Sequence, residues 1–270
     1  MAYPTVSAPY GFKPVNLIGG QVYAGSTRSL PISYGYNTSI FYGDFVNLAS
    51  GYVASVANTL ATPTVGVFLG CSYTNPATKQ KLFSQYWPAG TLAGDAVAII
   101  GDDPDLVFKA AVVTAAGTAT IASASSLLVG ANMTGNTSTG NISTGDSAGG
   151  VVAASASAGN FRVMSLVADT QISTGATYVS GTGTTTLTVS GLTVGQVIPV
   201  GTDIFQNING QLQFTGSTVS TAVTVTSATS QALTVVASTA TMSASNPLVL
   251  VQSPEVLVKV TFGAHRYYVA

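Results

Sequence analysis

The sequence predicts an all-β protein with an extended N-terminal arm, a small β-barrel body and an inserted Thr/Ser-rich, β-sandwich-like domain. Three observations carry this reading. Charged residues are 6% of the 270-residue chain, against about 25% in an average soluble protein. The single glutamate is Glu255, and helices with a wet outer face are built largely from Glu, Lys and Arg, so exposed helices have little material here. Apolar residues come in short runs that alternate with polar ones and are separated by Gly, Asn, Asp, Ser and Pro, which is the pattern of many short strands.

Residues 1–30 are punctuated by Pro4, Pro9, Gly11, Pro14, Gly19 and Gly20, which favours extended chain over helix. Fifteen of the 23 aromatic residues fall within the first 90 positions. An extended segment cannot bury its own aromatics, so Tyr3, Tyr10, Phe12 and Tyr23 pack either along a neighbouring subunit or back on the body. With Lys13 and Arg28 they are the first set of candidate partner contacts.

The body is assigned to 31–170 plus 248–270. Ile40–Tyr42, the turn pair Gly43-Asp44, Phe45–Leu48, a tight turn at Ser50-Gly51, Tyr52–Ala54, Val65–Gly70, Asp95–Ile100 and Leu106–Val113 read as a meander, and regularly spaced short strands point to a barrel or sandwich. Residues 114–160 are Ala, Ser, Thr and Gly with weak periodicity and read as loop with sparse strand. Phe161–Val167 is again a strand. Residues 171–247 carry one charge, Asp203. Thr184–Val189, Ile204–Ile208, Gln211–Thr215, Thr221–Thr226 and Ala232–Val236 alternate as strands, and Asn209-Gly210 between two of them is a type I′ hairpin signal. Glu255–Val260 and His265–Val269 return to the charged, aromatic character of the body.

Several function classes are disfavoured. Net charge is −1 with no basic run, whereas nucleic-acid binding rests on phosphate neutralisation by clustered Lys and Arg. Apolar pieces such as Val97–Ile100 and Leu248–Val251 are far shorter than the roughly 18 residues a spanning helix needs. The single cysteine, Cys71, excludes an internal disulfide and multi-cysteine metal sites and reads as a buried structural thiol. Met1–Thr5 has neither a basic start nor an apolar stretch, so folding in a cytoplasm is expected.

Four groups look like chemistry. Gly145-Asp146-Ser147-Ala148-Gly149 matches the G-x-S-x-G nucleophile elbow, and the order Ser147, Asp203, His265 suits a hydrolase triad. The elbow needs an apolar strand before the serine and a helix after it; here both flanks are polar and Gly-rich, so a loop is expected. Asp102, Asp103 and Asp105 cluster around Pro104 as either a hard-cation site or a surface turn. His265 beside Arg266 lacks partners for a metal site and is expected at the surface. Lys79, Lys81 and Trp87 form the one basic and aromatic patch, which is either a core-facing strand with solvated lysines or a contact for a partner. No catalytic, cofactor or metal residue is assigned.

The runs Tyr10-Gly11-Phe12-Lys13-Pro14-Val15, Gly43-Asp44-Phe45-Val46-Asn47-Leu48…Gly51-Tyr52-Val53 and Gly66-Val67-Phe68-Leu69-Gly70-Cys71 resemble virion structural proteins of marine tailed bacteriophages. They are also similar to the broader head-decoration group, whose G-D-x-V-x-L…G-x-V…G-V core belongs to a small β-barrel described as a β-tulip. Gly135–Gly140, Phe161–Val167 and Val256–Val260…His265-Arg266-Tyr267 resemble later parts of the marine group. The resemblance covers about two thirds of the chain and departs at 171–247. It implies a decoration (cement) protein on the outer surface of the capsid, bound to the major capsid protein at three-fold or quasi-three-fold positions, commonly as a homotrimer, with its arm over neighbouring subunits. It carries over no catalytic residue. The alternative is a head-fibre or adhesin-type attachment protein that displays 171–247 to the host.

Overall fold

The structure is a computed structural model and describes residues 9–56, 63–114, 129–136, 140–153, 159–167, 170–175, 182–183, 185–252 and 254–268. Tyr3 lies outside the described residues. The chain forms two compact units, one of Ser7–Ala119, Val129–Ser165 and Glu255–Ala270 and one centred on Leu166–Pro254.

The first unit holds β1 (Lys13–Leu17), β2 (Arg28–Pro31), β3 (Phe45–Ala49), β4 (Tyr52–Ser55), β5 (Gly66–Thr74), β6 (Lys81–Ser84), β7 (Val97–Gly101), β8 (Leu106–Ala111), β9 (Asn132–Asn136), β10 (Gly150–Ala153) and β11 (Phe161–Leu166). The second holds β12 (Gln171–Ser173), β13 (Thr186–Val189), β14 (Val197–Ile198), β15 (Asp203–Ile208), β16 (Gln211–Thr218), β17 (Val223–Thr224), β18 (Gln231–Thr234) and β19 (Leu248–Val251), and β20 (Glu255–Val260) returns to the first. The protein is all-β, with a short 3₁₀ turn at Phe262–Ala264 and no α-helix among the described residues.

In the first unit one sheet runs β1-β8-β20-β11-β9-β10 and the other β2-β7-β5-β3-β4, with β6 added to β5. The pairs are antiparallel, and β8 to β20 joins residues far apart in sequence, Leu257 opposite Lys109. The region expected as an extended arm is woven into the unit from Lys13 onward: β1 is the edge strand of one sheet and β2 of the other. On one side their backbone groups are paired with β8 and β7, where a solvated arm would leave them to water. Phe12 sits in the core, stacked on Phe161 at 4.7 Å and edge-on to Phe45 at 5.6 Å and Phe108 at 6.3 Å, so this aromatic packs on its own body. A second core under the other sheet gathers Ile40, Val46, Phe68, Trp87 and Ile100.

Turn chemistry follows the sequence. Ser50 (φ 51°) and Gly51 (φ 84°) close β3 onto β4, and Asn209 (φ 52°) and Gly210 (φ 86°) close β15 onto β16. Both central residues are left-handed in each pair, as a two-residue type I′ turn requires.

The second unit consists of the sheet β12-β19-β15-β16 and the ribbons β13-β18 and β14-β17. Its core includes Leu187, Val189, Ile198, Ile204, Leu233, Leu248 and Leu250. Leu248–Val251, expected with the body, instead pairs with β12 and β15 in this unit. All four of its side chains are buried; a strand apolar on both faces is accommodated between two neighbours, not at an edge.

Candidate functional site

The segment that looked like a nucleophile elbow lies where three stretches of the first unit cross. The Gly11 N–H donates to the Gly149 carbonyl at 2.9 Å, Phe12 to Gly43 at 2.9 Å, Tyr42 to Gly145 at 2.9 Å and Ser147 to Tyr42 at 2.9 Å. Glycine is required here by contact: a Cβ on Gly11 would lie 2.7 Å from the Gly43 carbonyl oxygen and 2.8 Å from the Ser147 Cβ, and one on Gly149 would lie 2.4 Å from the Asn136 carbonyl oxygen. Gly11 also has φ +78°, where a side chain is strained.

Ser147 is buried at 3% exposure. Its hydroxyl donates to Asp44 Oδ1 at 2.6 Å and accepts from the Gly149 N–H at 2.9 Å, while Asp44 Oδ2 accepts from the Phe41 N–H at 2.8 Å. Burial pushes the Asp44 carboxyl up to about 6, against the lowering effect of its bonds from Ser147 and Phe41. Asp44 is within reach of the Ser147 proton, but both residues are buried, so the pair faces the crossing of backbones and not solvent. Asp203 belongs to the second unit and pairs with Val251 and Thr218. His265, expected at the surface, is buried at 2% exposure. It makes a parallel bridge with Thr64, and its Nδ1 accepts from the Tyr267 N–H at 3.3 Å. Burial, first among the causes, holds its imidazole below the ordinary value.

The acidic turn after β7 is tied down by cations and amides of the chain itself. Asp102 accepts from Arg28 Nε at 2.9 Å and from the Tyr267 hydroxyl, Asp103 Oδ1 accepts from the Asp105 N–H at 2.8 Å, and Lys259 Nζ pairs with Asp105 at 2.6 Å. Among the described residues no group of three His, Cys, Asp or Glu is placed to hold a metal ion. Cys71 is buried, and burial pushes its thiol up to about 12.

The candidate partner contacts separate into three groups. Trp87 is a core residue and not a surface contact: it has 0% exposure, its Nε1–H donates to the Tyr36 carbonyl at 3.1 Å and its ring meets Tyr73 edge-on at 5.4 Å. Phe12 is buried in the same sense. Tyr10 is half-buried: its hydroxyl donates to Glu255, and Lys13 lies over its ring at 4.4 Å. Burial, reinforced by Glu255, raises the Tyr10 phenol above its ordinary range, and Glu255 also pairs with Lys109 at 3.2 Å. Lys13, Arg28, Lys79 and Lys81 are exposed. Arg28 lies 5.2 Å over the Tyr267 ring, and Lys81 pairs with Asp95 at 2.8 Å.

Between β1 and β2 runs a loop that sequence reasoning placed within the arm without marking its two apolar side chains. It is fixed at its start: Ile18 N–H donates to the Asp105 carbonyl at 2.9 Å, Leu17 to Gln21 at 2.8 Å, and Val22 bridges to Asn16. On it Val22 is 80% exposed and Ile18 44%, and Tyr23 donates to the Ser26 carbonyl at 3.3 Å. The absence of any Asp, Glu, Lys or Arg between Lys13 and Arg28 was the available signal. Beside β6, Tyr42, Leu69, Cys71, Phe83, Gln85 and Ile99 outline a shallow depression of about 470 Å³, and of these Phe83 is 81% exposed.

No helix among the described residues is long and apolar enough to cross a membrane. Comparisons with protein-family models, with curated proteins and with solved structures find no match to the chain.

Proposed function

We propose that the chain is a decoration (cement) protein of a tailed-bacteriophage head, with a β-tulip-like first unit that binds the outer surface of the capsid as a homotrimer and clamps neighbouring major capsid protein subunits. It would be made in the host bacterial cytoplasm and reside in the virion. The observation that carries this reading is the loop between β1 and β2, which presents Ile18 and Val22 to solvent while β1 and β2 tie both its ends into sheets. A clamp needs apolar side chains offered on a framework that does not have to order on binding, because immobilisation offsets the gain from burial. Covering a Val or Ile fully is worth about 1.5–3 kcal/mol, and repetition around a symmetric shell multiplies it. The resemblance of Gly43–Leu48 to the motif of head-decoration proteins is in keeping with this reading, and in this chain Gly43 and Asp44 belong to the crossing next to β1.

The attachment-protein alternative rests on the second unit, which is compact in its own right and could be displayed outward. One experiment tests the cement reading. Heads stripped of the protein are mixed with the full chain and with the Ile18→Asp/Val22→Asp double variant, and bound protein is measured by co-sedimentation. A cement protein saturates the heads in a fixed copy number, and the folded double variant binds at least about tenfold more weakly. Failure of the parent chain to bind heads overturns the proposal.

A further inference from the structure

The tip of the β15–β16 hairpin carries the one Asn-Gly pair of the sequence. Of all the asparagines in the sequence only Asn209 is followed by glycine; the others precede Leu, Thr, Pro, Met, Ile or Phe. Both Asn209 and Gly210 are exposed, and a Cβ built on Gly210 would meet nothing within 4 Å, so Gly210 has open space on its side-chain side. One contact opposes the reaction. The Gly210 N–H donates to Asn207 Oδ1 at 2.8 Å, and that nitrogen becomes a nucleophile only after it loses the proton it shares there.

We propose that Asn209-Gly210 is a site of spontaneous deamidation whose rate is set by the Asn207 side chain. When the Gly210 N–H leaves Asn207 and gives its proton to hydroxide, the nitrogen attacks Asn209 Cγ. A C–N bond forms and closes a five-membered imide, the bond from Cγ to the side-chain nitrogen breaks, and ammonia leaves with a proton from water. Water then adds to one of the two imide carbonyls. Opening at the main-chain carbonyl gives isoaspartate, and opening at the side-chain carbonyl gives aspartate. The sum is amide plus water to carboxylate plus ammonium, and no other reagent is required.

The consequence is specific to this unit. From residue 170 to 254 the sequence holds one Asp, Glu, Lys, Arg or His, namely Asp203, and it is buried. Deamidation therefore writes a first charge onto the described surface of that stretch, at its exposed hairpin tip. The isoaspartate product also lengthens the main chain by one carbon inside a two-residue turn. The register that follows, Ile208 opposite Gln211 and Asn207 opposite Leu212, fits only a turn of the original length.

The test incubates the full folded chain in mildly alkaline buffer and maps deamidated and isoaspartyl peptides by mass spectrometry over time. Modification is expected first at Asn209, more slowly in the folded chain than in the same chain in denaturant. Asn207→Ala, checked for folding by circular dichroism, is expected to deamidate at Asn209 about threefold to tenfold faster than the parent, the range that follows from losing one ordinary hydrogen bond. Asn207→Asp keeps the acceptor oxygen and is expected to stay as slow as the parent. Earlier modification at any other asparagine overturns the site. Equal rates for the folded and denatured parent overturn the role of Asn207, which keeps that point testable should Asn207→Ala fail to fold.

Discussion

The Ser147 hydroxyl donates to Asp44 Oδ1 at 2.6 Å, joining two buried residues that lie more than a hundred positions apart in the chain. This bond accounts for the serine of the G-x-S-x-G match: it closes a crossing of backbones, and its oxygen accepts the Gly149 N–H as well.

Ser147→Ala is accordingly expected to destabilise the protein by about 1–3 kcal/mol, because Asp44 keeps only the Phe41 N–H and loses the partner of a desolvated oxygen. Urea unfolding followed by tryptophan fluorescence measures it. A change within experimental scatter of zero would remove the bond from the framework.

Gly135→Ala examines the aromatic core. A Cβ there would lie 2.6 Å from a Phe45 ring carbon and 2.7 Å from one of Phe161, and both rings also pack on Phe12. Overpacking of this kind costs about 1–3 kcal/mol, visible as a lower thermal midpoint. Retention of the parental midpoint would mean that the rings yield freely.

Trp87 and Phe83 form a contrasting pair. Trp87→Ala removes a fully buried ring and is expected to cost about 3–5 kcal/mol. Phe83→Ser removes an exposed one and is expected to stay within about 0.5 kcal/mol of the parent. Chemical denaturation of the two variants distinguishes core from surface, and similar losses would contradict the assignment.

Stability should also depend on pH through Asp203. Its carboxyl is buried with Oδ2 unpartnered, and burial pushes it from 3.8 up to about 7. A carboxyl that binds its proton more tightly folded than unfolded contributes stability that is whole below the unfolded value and is lost as pH rises through the folded one. Asp44, raised to about 6, acts in the same direction. His265, held below its ordinary value by burial, acts oppositely: its contribution is present above the unfolded value of 6.5 and lost as pH falls. The comparison that isolates Asp203 is with Asp203→Asn. The variant is expected to gain on the parent between about pH 5 and pH 8, by a margin on the order of 3 kcal/mol. A margin independent of pH would show that Asp203 is ionised throughout.

Much of the local structure was legible before any pairing was known. The two-residue turns at Ser50-Gly51 and Asn209-Gly210 follow from the residues that tolerate left-handed backbone, and the strands expected at Asp95–Ile100, Leu106–Val113 and Phe161–Val167 are found at Val97–Gly101, Leu106–Ala111 and Phe161–Leu166. The burial of Cys71 was legible from the apolar strand before it. The roles of Trp87, Phe12 and His265 were not, because core and surface aromatics stand side by side in the sequence: buried Trp87 follows half-buried Tyr86, and buried His265 precedes exposed Tyr267 and Tyr268.

By itself the sequence determined that this chain forms strands, where most of them turn, and that few ionic groups would be available for chemistry, since these depend on residue type and on neighbours within a few positions. Only the tertiary structure decided that the arm segment supplies two edge strands, that Leu248–Val251 belongs beside β15, that the Asp102–Asp105 turn is tied down within the chain, and that Ser147 answers to Asp44. Those outcomes depend on which distant strand completes each hydrogen-bond ladder, and period-two alternation gives every strand a face without naming its neighbour.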